Sequence, residues 1–108
     1  MSQDYLGEFE QMVLLSIMRL RDGAYGSAIR EELETVAGRR PSSGSLYTTL
    51  DRMERKGLLE AQVGEETPER GGRARRYVTL TPQGREMLAR SRESLMALWT
   101  GLEEALEQ

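Results

Sequence analysis

Apolar residues recur at spacings of three and four along three stretches of the chain, then alternate with polar ones, then return to helical spacing. Leu6, Phe9, Val13, Ile17 and Leu20 predict a helix over residues 5–21. Met12, Leu14, Leu15 and Met18 widen its apolar surface to nearly the whole circumference, and such a helix is buried on more than one face. In so short a chain this predicts one face against the chain's own core and another, with Phe9 and Val13, against a second subunit. The two glycines of RDGAYG (21–26) predict a turn. A second helix is expected over 27–37, with Ile29, Leu33 and Val36 on one stripe and Arg30, Glu31, Glu32 and Glu34 on the solvated side. Gly38 suits its C-cap and Pro41 blocks continuation.

A third helix is expected to begin at Ser42 or Ser43, both good N-cap types, and to end at Gly57. With Leu46 as origin, Leu50 and Met53 fall within about 40° of it on a helical wheel. So narrow a stripe places the helix at the surface. Ser45, Thr48, Arg52 and Arg55 point away from the stripe, with Thr49 on one flank and Tyr47 on the other. Residues 58–63 and 75–80 read as two strands, the second with Val78 and Leu80 inward and Tyr77 and Thr79 outward. Between them, 64–73 is a polar, glycine-rich loop. Thr81 as N-cap and Pro82 at the first helical position open a last helix, expected to reach about residue 106. Leu95, Trp99, Leu102 and Leu106 form its apolar stripe.

Three helices, two strands and a helix follow the order of a winged helix-turn-helix, a mainly α (α+β) fold with a small hairpin. The expected organisation is a winged helix-turn-helix over 1–80 and a dimerisation helix over 81–108. The 108 residues suit one compact domain with a modest core. There is no cysteine and no histidine, which removes disulfides, thiolate metal sites and the commonest zinc ligand. Pairing with a second copy is the remaining way to gain stability. No cofactor is expected, nor a membrane span, since the apolar run 12–17 is too short for one. A soluble cytoplasmic protein is expected, associated with the nucleoid through DNA.

Charge changes the picture. The net charge of −3 argues against nucleic acid, but its distribution does not. Residues 39–56 hold Arg39, Arg40, Arg52, Arg55 and Lys56 against two acids, and RGGRARR (70–76) holds four arginines and no acid. The acids concentrate before residue 39 and after residue 91. A local basic surface matters more for phosphate than the total does. A recognition helix is held by one apolar stripe, presents short polar side chains outward and carries cations near its ends; residues 43–56 do all three. Taken alone, the same helix also reads as an ordinary solvated surface helix. Arg70, Arg73, Arg75 and Arg76 at one end of the hairpin tip the balance, because a wing there would reach a phosphate strand. The competing reading is a charged loop kept for solubility, with Glu65, Glu66 and Glu69 opposing the arginines. Helix and wing arginines are expected to converge on one face. Trp99 reads as interface packing first, and second as a flat surface for a planar apolar ligand.

The segments YGSAI, GSLYTTLDRMERKGLLE and GRARRYVTLTPQG, with one terminal helix, resemble the PadR family of bacterial transcriptional regulators. The resemblance spans nearly the whole chain. It implies a homodimeric winged-helix repressor of a palindromic operator on double-stranded DNA, with, in several short members, an aromatic effector between the subunits. By position it implies DNA contacts at Ser45, Tyr47, Thr48 and Arg52, and wing contacts at Arg73, Arg75 and Arg76; Thr49, on the flank of the same helix, is a further expected DNA contact. It places Trp99 where an interface aromatic or ligand contact belongs, beside Leu95, Leu102 and Leu106. The acidic EETPE in the wing departs from the family pattern. The net acidity also supports a second reading, a winged-helix protein-interaction module that does not bind DNA. An enzyme is not expected, because without histidine or cysteine the usual acid–base and thiol arrangements are missing.

Overall fold

The computed structural model describes residues 5–64 and 74–107. Helix α1 is Glu8–Leu20, α2 Gly26–Ala37 and α3 Ser43–Arg55; strands β1 (Leu59–Val63) and β2 (Arg76–Leu80) follow, then α4 (Pro82–Trp99). The helix ends lie where local chemistry puts them. Ser42 Oγ accepts a hydrogen bond from the Ser45 N–H at 3.1 Å, and Thr81 Oγ1 accepts one from the Gly84 N–H at 3.0 Å. Each cap satisfies an N–H that the helix itself leaves without a partner. At the end of α2, Gly38 takes φ 68°, and the Gly38 and Arg39 N–H groups donate back to Glu34 and Leu33. The turn after α1 differs from the glycine-based expectation. The left-handed residue is Arg21, with φ 55°, ahead of both glycines. Its strain, on the order of 1 kcal/mol or more, is held by a one-turn 3-10 helix (Arg21–Gly23) and by buried Ala24.

β1 and β2 pair antiparallel, Leu59 opposite Leu80 and Ala61 opposite Val78. Beyond the expected hairpin, Tyr25 bridges to Tyr77, and the Val78 N–H donates to the Ala24 carbonyl at 2.9 Å. The turn before α2 thus ties the wing to the helical body. The core gathers Val13, Leu14 and Ile17 of α1, Ile29 and Leu33 of α2, Leu46, Leu50 and Met53 of α3, and Val78 and Leu80 of β2. Met87 and Leu88 of α4 complete it, so the first turns of the last helix belong to the same core.

Three expectations are corrected. Val13 is wholly buried in the chain's own core, so it does not face a second subunit; Phe9 is half-buried against that core. Val36 is 55% exposed, because α2 ends before its last turn meets another element. The last helix stops at Trp99 rather than near residue 106. Thr100 leaves helical geometry and Gly101 takes φ 86°, while the Leu102 N–H donates to the Trp99 carbonyl at 2.7 Å. Leu98 and Trp99 in the final turn stay exposed, and Gly101, which costs about 1 kcal/mol in a helix, leaves the helical conformation. The chain hooks back through a short 3-10 turn, Ala105–Glu107, and Leu102 and Leu106 meet Leu95, Leu98 and Trp99 around an open apolar concavity of about 250 Å³.

Candidate nucleic-acid interface

Helix α3 is anchored by Leu46, Leu50 and Met53, all at most 3% exposed, and its opposite side opens to solvent. Ser45, Thr48 and Arg55 are exposed there. Thr49 is not: it is 4% exposed, because the buried sector is wider than the three-residue stripe and takes in its flank. It is corrected from a surface contact to a core residue. Tyr47 is 44% exposed and its ring lies over Gly26, the first residue of α2, so close that any side chain at Gly26 would displace the phenol. That contact places the Tyr47 ring between α3 and the start of α2.

The arginines occupy distinct electrostatic settings. Arg76 on β2 does reach α3, but it reaches carboxylates: Nη1 donates to Asp51 Oδ1 at 3.1 Å and Nη2 to Glu54 Oε1. Asp51 and Glu54 sit on the Tyr47 side of α3, away from Ser45 and Thr48, and face the wing. Arg75 Cζ lies over the Tyr25 ring, 4.1 Å from its centroid, and Tyr25 in turn meets Tyr77 edge-on at 5.5 Å. Arg76 thus packs on the Asp51–Glu54 flank of α3, the flank away from Arg52. The expected bare cationic surface is corrected, however, to a partly neutralised and partly stacked one. Arg73 lies outside the described residues, as do Arg70 and the acidic part of the loop.

Arg52 is held from the other direction. Its Nε donates to Glu10 Oε2 at 3.2 Å, and Lys56 Nζ is 3.6 Å from the same oxygen. Glu10 is 9% exposed and its other oxygen accepts the Gly7 N–H at 3.0 Å, capping α1. Burial pushes its pKa up. The Gly7 N–H, the Arg52 hydrogen bond and the Lys56 and Arg52 charges outweigh burial and bring it below its ordinary value of 4.5. A carboxylate with a depressed folded-state pKa stabilises the fold above its unfolded value and loses that contribution as pH falls through the folded one. The melting temperature of Glu10→Gln should therefore lie below wild type at neutral pH and converge with it under acid, from about pH 4 downward. A gap that stays constant across a pH series would contradict this.

Glu10 escaped the sequence reading. Its spacing from Gly7 could have shown it as the reciprocal cap of α1. Nothing local could have paired it with Arg52, 42 residues away. Tyr25, Asp51 and Glu54 were likewise invisible as partners of the wing. Leu95 and Trp99 of α4, and Leu102 and Leu106 beyond it, are between 41% and 79% exposed. No helix among the described residues is long and apolar enough to cross a membrane.

The profile of the transcriptional regulator PadR-like family matches residues 14–90. The transcriptional regulator Rv3488 of Mycobacterium tuberculosis is 41% identical over 76 residues, covering 68% of this chain and 64% of that protein. The uncharacterized 37.1 kDa protein in transposon TN4556 of Streptomyces fradiae is 40% identical over 86 residues, covering 79% of this chain and 23% of that one. The matches thus span less than two thirds of either relative. Among solved structures, a PadR-like transcriptional regulator from Bacillus cereus superposes with a TM-score of 0.73 at 25% identity, covering 93% of this chain and 92% of that one.

Proposed function

Because the chain belongs to the PadR-like family of transcriptional regulators, whose members are not enzymes, we propose that it is a homodimeric, sequence-specific binder of double-stranded DNA. The observation that carries this reading is the two-sided α3: a buried apolar stripe opposite an exposed face of Ser45, Thr48 and Arg55, with half-buried Arg52 beside them. Short hydroxyl side chains let the backbone approach base edges, and the arginines supply cations for guanine or phosphate. Arg75 and Arg73 of the wing would approach the adjoining groove, while Arg76 holds the wing on Asp51 and Glu54 of α3. Residues 1–80 act as the winged helix-turn-helix, and 81–108, α4 with the turn that follows it, as the dimerisation segment through Leu95, Trp99, Leu102 and Leu106. Two copies would present their α3 helices to palindromic half-sites about 34–36 Å apart. Occupancy of such an operator represses the adjacent gene, and a small aromatic effector seated beside Trp99 relieves it. The site of action is the cytoplasm, at the nucleoid.

Affinity for a duplex from the gene's own upstream region should fall steeply with salt, since phosphate contacts release counterions. Arg55→Ala should weaken all duplexes alike and reduce the log–log salt slope by about 1. Fluorescence anisotropy across a salt series reads both numbers, and a wild-type affinity that ignores salt would refute the reading. The carboxylates on Arg76 favour one rival, a protein-interaction module. Stable capture of a protein partner with no duplex binding at low salt would establish that instead.

A further inference from the structure

Arginine offers its base-reading fork through the two terminal nitrogens, which match guanine O6 and N7. An unsupported arginine samples many rotamers, and fixing it on a base loses that freedom. A carboxylate that takes Nε leaves the fork open and holds it in one direction.

Arg52 is held in this way. Glu10 engages Nε at 3.2 Å, and the Arg52 side chain remains 41% exposed at the edge of the face that carries Ser45 and Thr48. Glu10 is itself immobilised. It is buried in the first turn of α1, tied to the Gly7 N–H at 3.0 Å and shared with Lys56 at 3.6 Å. The neighbouring Leu6 is 4% exposed, and its N–H donates to Ser91 Oγ of α4 at 3.3 Å. Arg76 is arranged the opposite way. Asp51 and Glu54 occupy Nη1 and Nη2, so its fork is spent inside the protein.

We propose that Glu10 is a positioning residue that buttresses Arg52 to read a guanine in the major groove, while Arg76 serves to dock the wing on α3. The proposal rests on the DNA-binding reading above and adds which arginine carries sequence information and what aims it. Glu10 touches no base; it acts through Arg52.

The test uses the full-length protein and a random-core double-stranded DNA library. Wild type is put through rounds of selection, and the enriched duplex is compared with copies in which single G·C pairs become A·T. Wild type should discriminate about tenfold at one G·C pair per half-site. Glu10→Gln keeps the helix cap, since glutamine also accepts the Gly7 N–H, but removes the charge that fixes Arg52. It should discriminate about threefold or less at that pair, with binding to random duplex undiminished. Arg52→Ala should abolish the discrimination, and adding Glu10→Gln to it should change nothing further. Arg76→Ala should leave it intact. If Glu10→Gln melts below the assay temperature, Glu10→Asp, which withdraws the carboxylate by one methylene, should show the same selective loss.

Unaltered discrimination in the Glu10 variants overturns the buttress, as does an equal loss on every duplex, which is what a merely structural role predicts. Sharper discrimination overturns it too, since the carboxylate would then be holding Arg52 back. Loss of discrimination in Arg76→Ala but not in Arg52→Ala overturns the assignment while leaving DNA binding standing. A wild-type protein that enriches no sequence overturns the DNA-binding reading itself, and the buttress with it.

Discussion

Gly84→Ala should lower the melting temperature by about 12–24 °C, the shift expected for roughly 3 kcal/mol in a domain of this size. In an exposed helix the same change would stabilise, because alanine is the better helix former by about 1 kcal/mol. Here the sign reverses. Gly84 is buried in the first turn of α4, and a methyl group there would run into the Leu58 carbonyl oxygen and lie 3.1 Å from its carbon. The obstacle is backbone, not the end of a flexible side chain. That backbone is also committed, since the Leu58 oxygen accepts the Thr81 N–H at 3.1 Å. Relief would require α4 to lift from the start of the hairpin, pulling Met87 and Leu88 out of the core. Thermal unfolding at fixed protein concentration measures the effect, and a melting temperature within a few degrees of wild type would show that α4 can shift at little cost. Gly26 makes the useful contrast. A methyl there meets only the phenol of Tyr47, which can swing away.

Trp99→Asp should convert a dimer into a monomer and weaken operator binding by about 10²–10⁴-fold, the avidity contributed by linking two modest half-site contacts. The second half of α4 makes the case for a partner. Met96, Leu98, Leu102 and Leu106 are 53%, 73%, 52% and 79% exposed, and Trp99 lies among them. A contiguous apolar surface of that kind is uncommon on a monomer. On α1, Leu15 and Met18 are also exposed, at 49% and 41%, so the second apolar face expected of that helix exists, on residues other than Val13. Sedimentation of wild type and variant at micromolar concentration decides the matter; a monomeric wild type would remove the twofold operator from the proposal. The concavity beside Trp99 bears on the effector as well. A planar aromatic compound bound there should quench the only tryptophan, and a flat signal across a broad panel would leave the surface to dimerisation alone.

Much of this molecule is decided by interactions that reach no further than a helical turn. Ser42 and Thr81 start their helices because each hydroxyl accepts the N–H three residues on, and Pro82 fits the first helical position because no N–H is needed there. Leu46, Leu50 and Met53 share a face because the helical step puts them there, and Val78 and Leu80 share one because strand side chains alternate. Those rules also set the element order and with it the fold; the family was legible only as a resemblance in YGSAI, GSLYTTLDRMERKGLLE and GRARRYVTLTPQG.

Periodicity says which face is apolar but not what covers it, and it is silent about charge pairs between distant segments. Val13 and Leu15 look alike on a helical wheel, yet one is sealed in the core and the other is half exposed. Thr49 is covered because neighbouring elements close over the flank of its helix. Gly101 takes the positive φ that turns the chain out of α4, and only the folded chain shows the segment after it returning to Leu95, Leu98 and Trp99. Above all, Arg52, Arg75 and Arg76, which look equivalent in sequence, are made unequal by carboxylates 42 and 22 residues away and by a tyrosine ring. Which guanidinium keeps its fork free depends on where the chain brings its carboxylates, and only the packed structure brings Glu10 to Arg52 and Glu54 to Arg76.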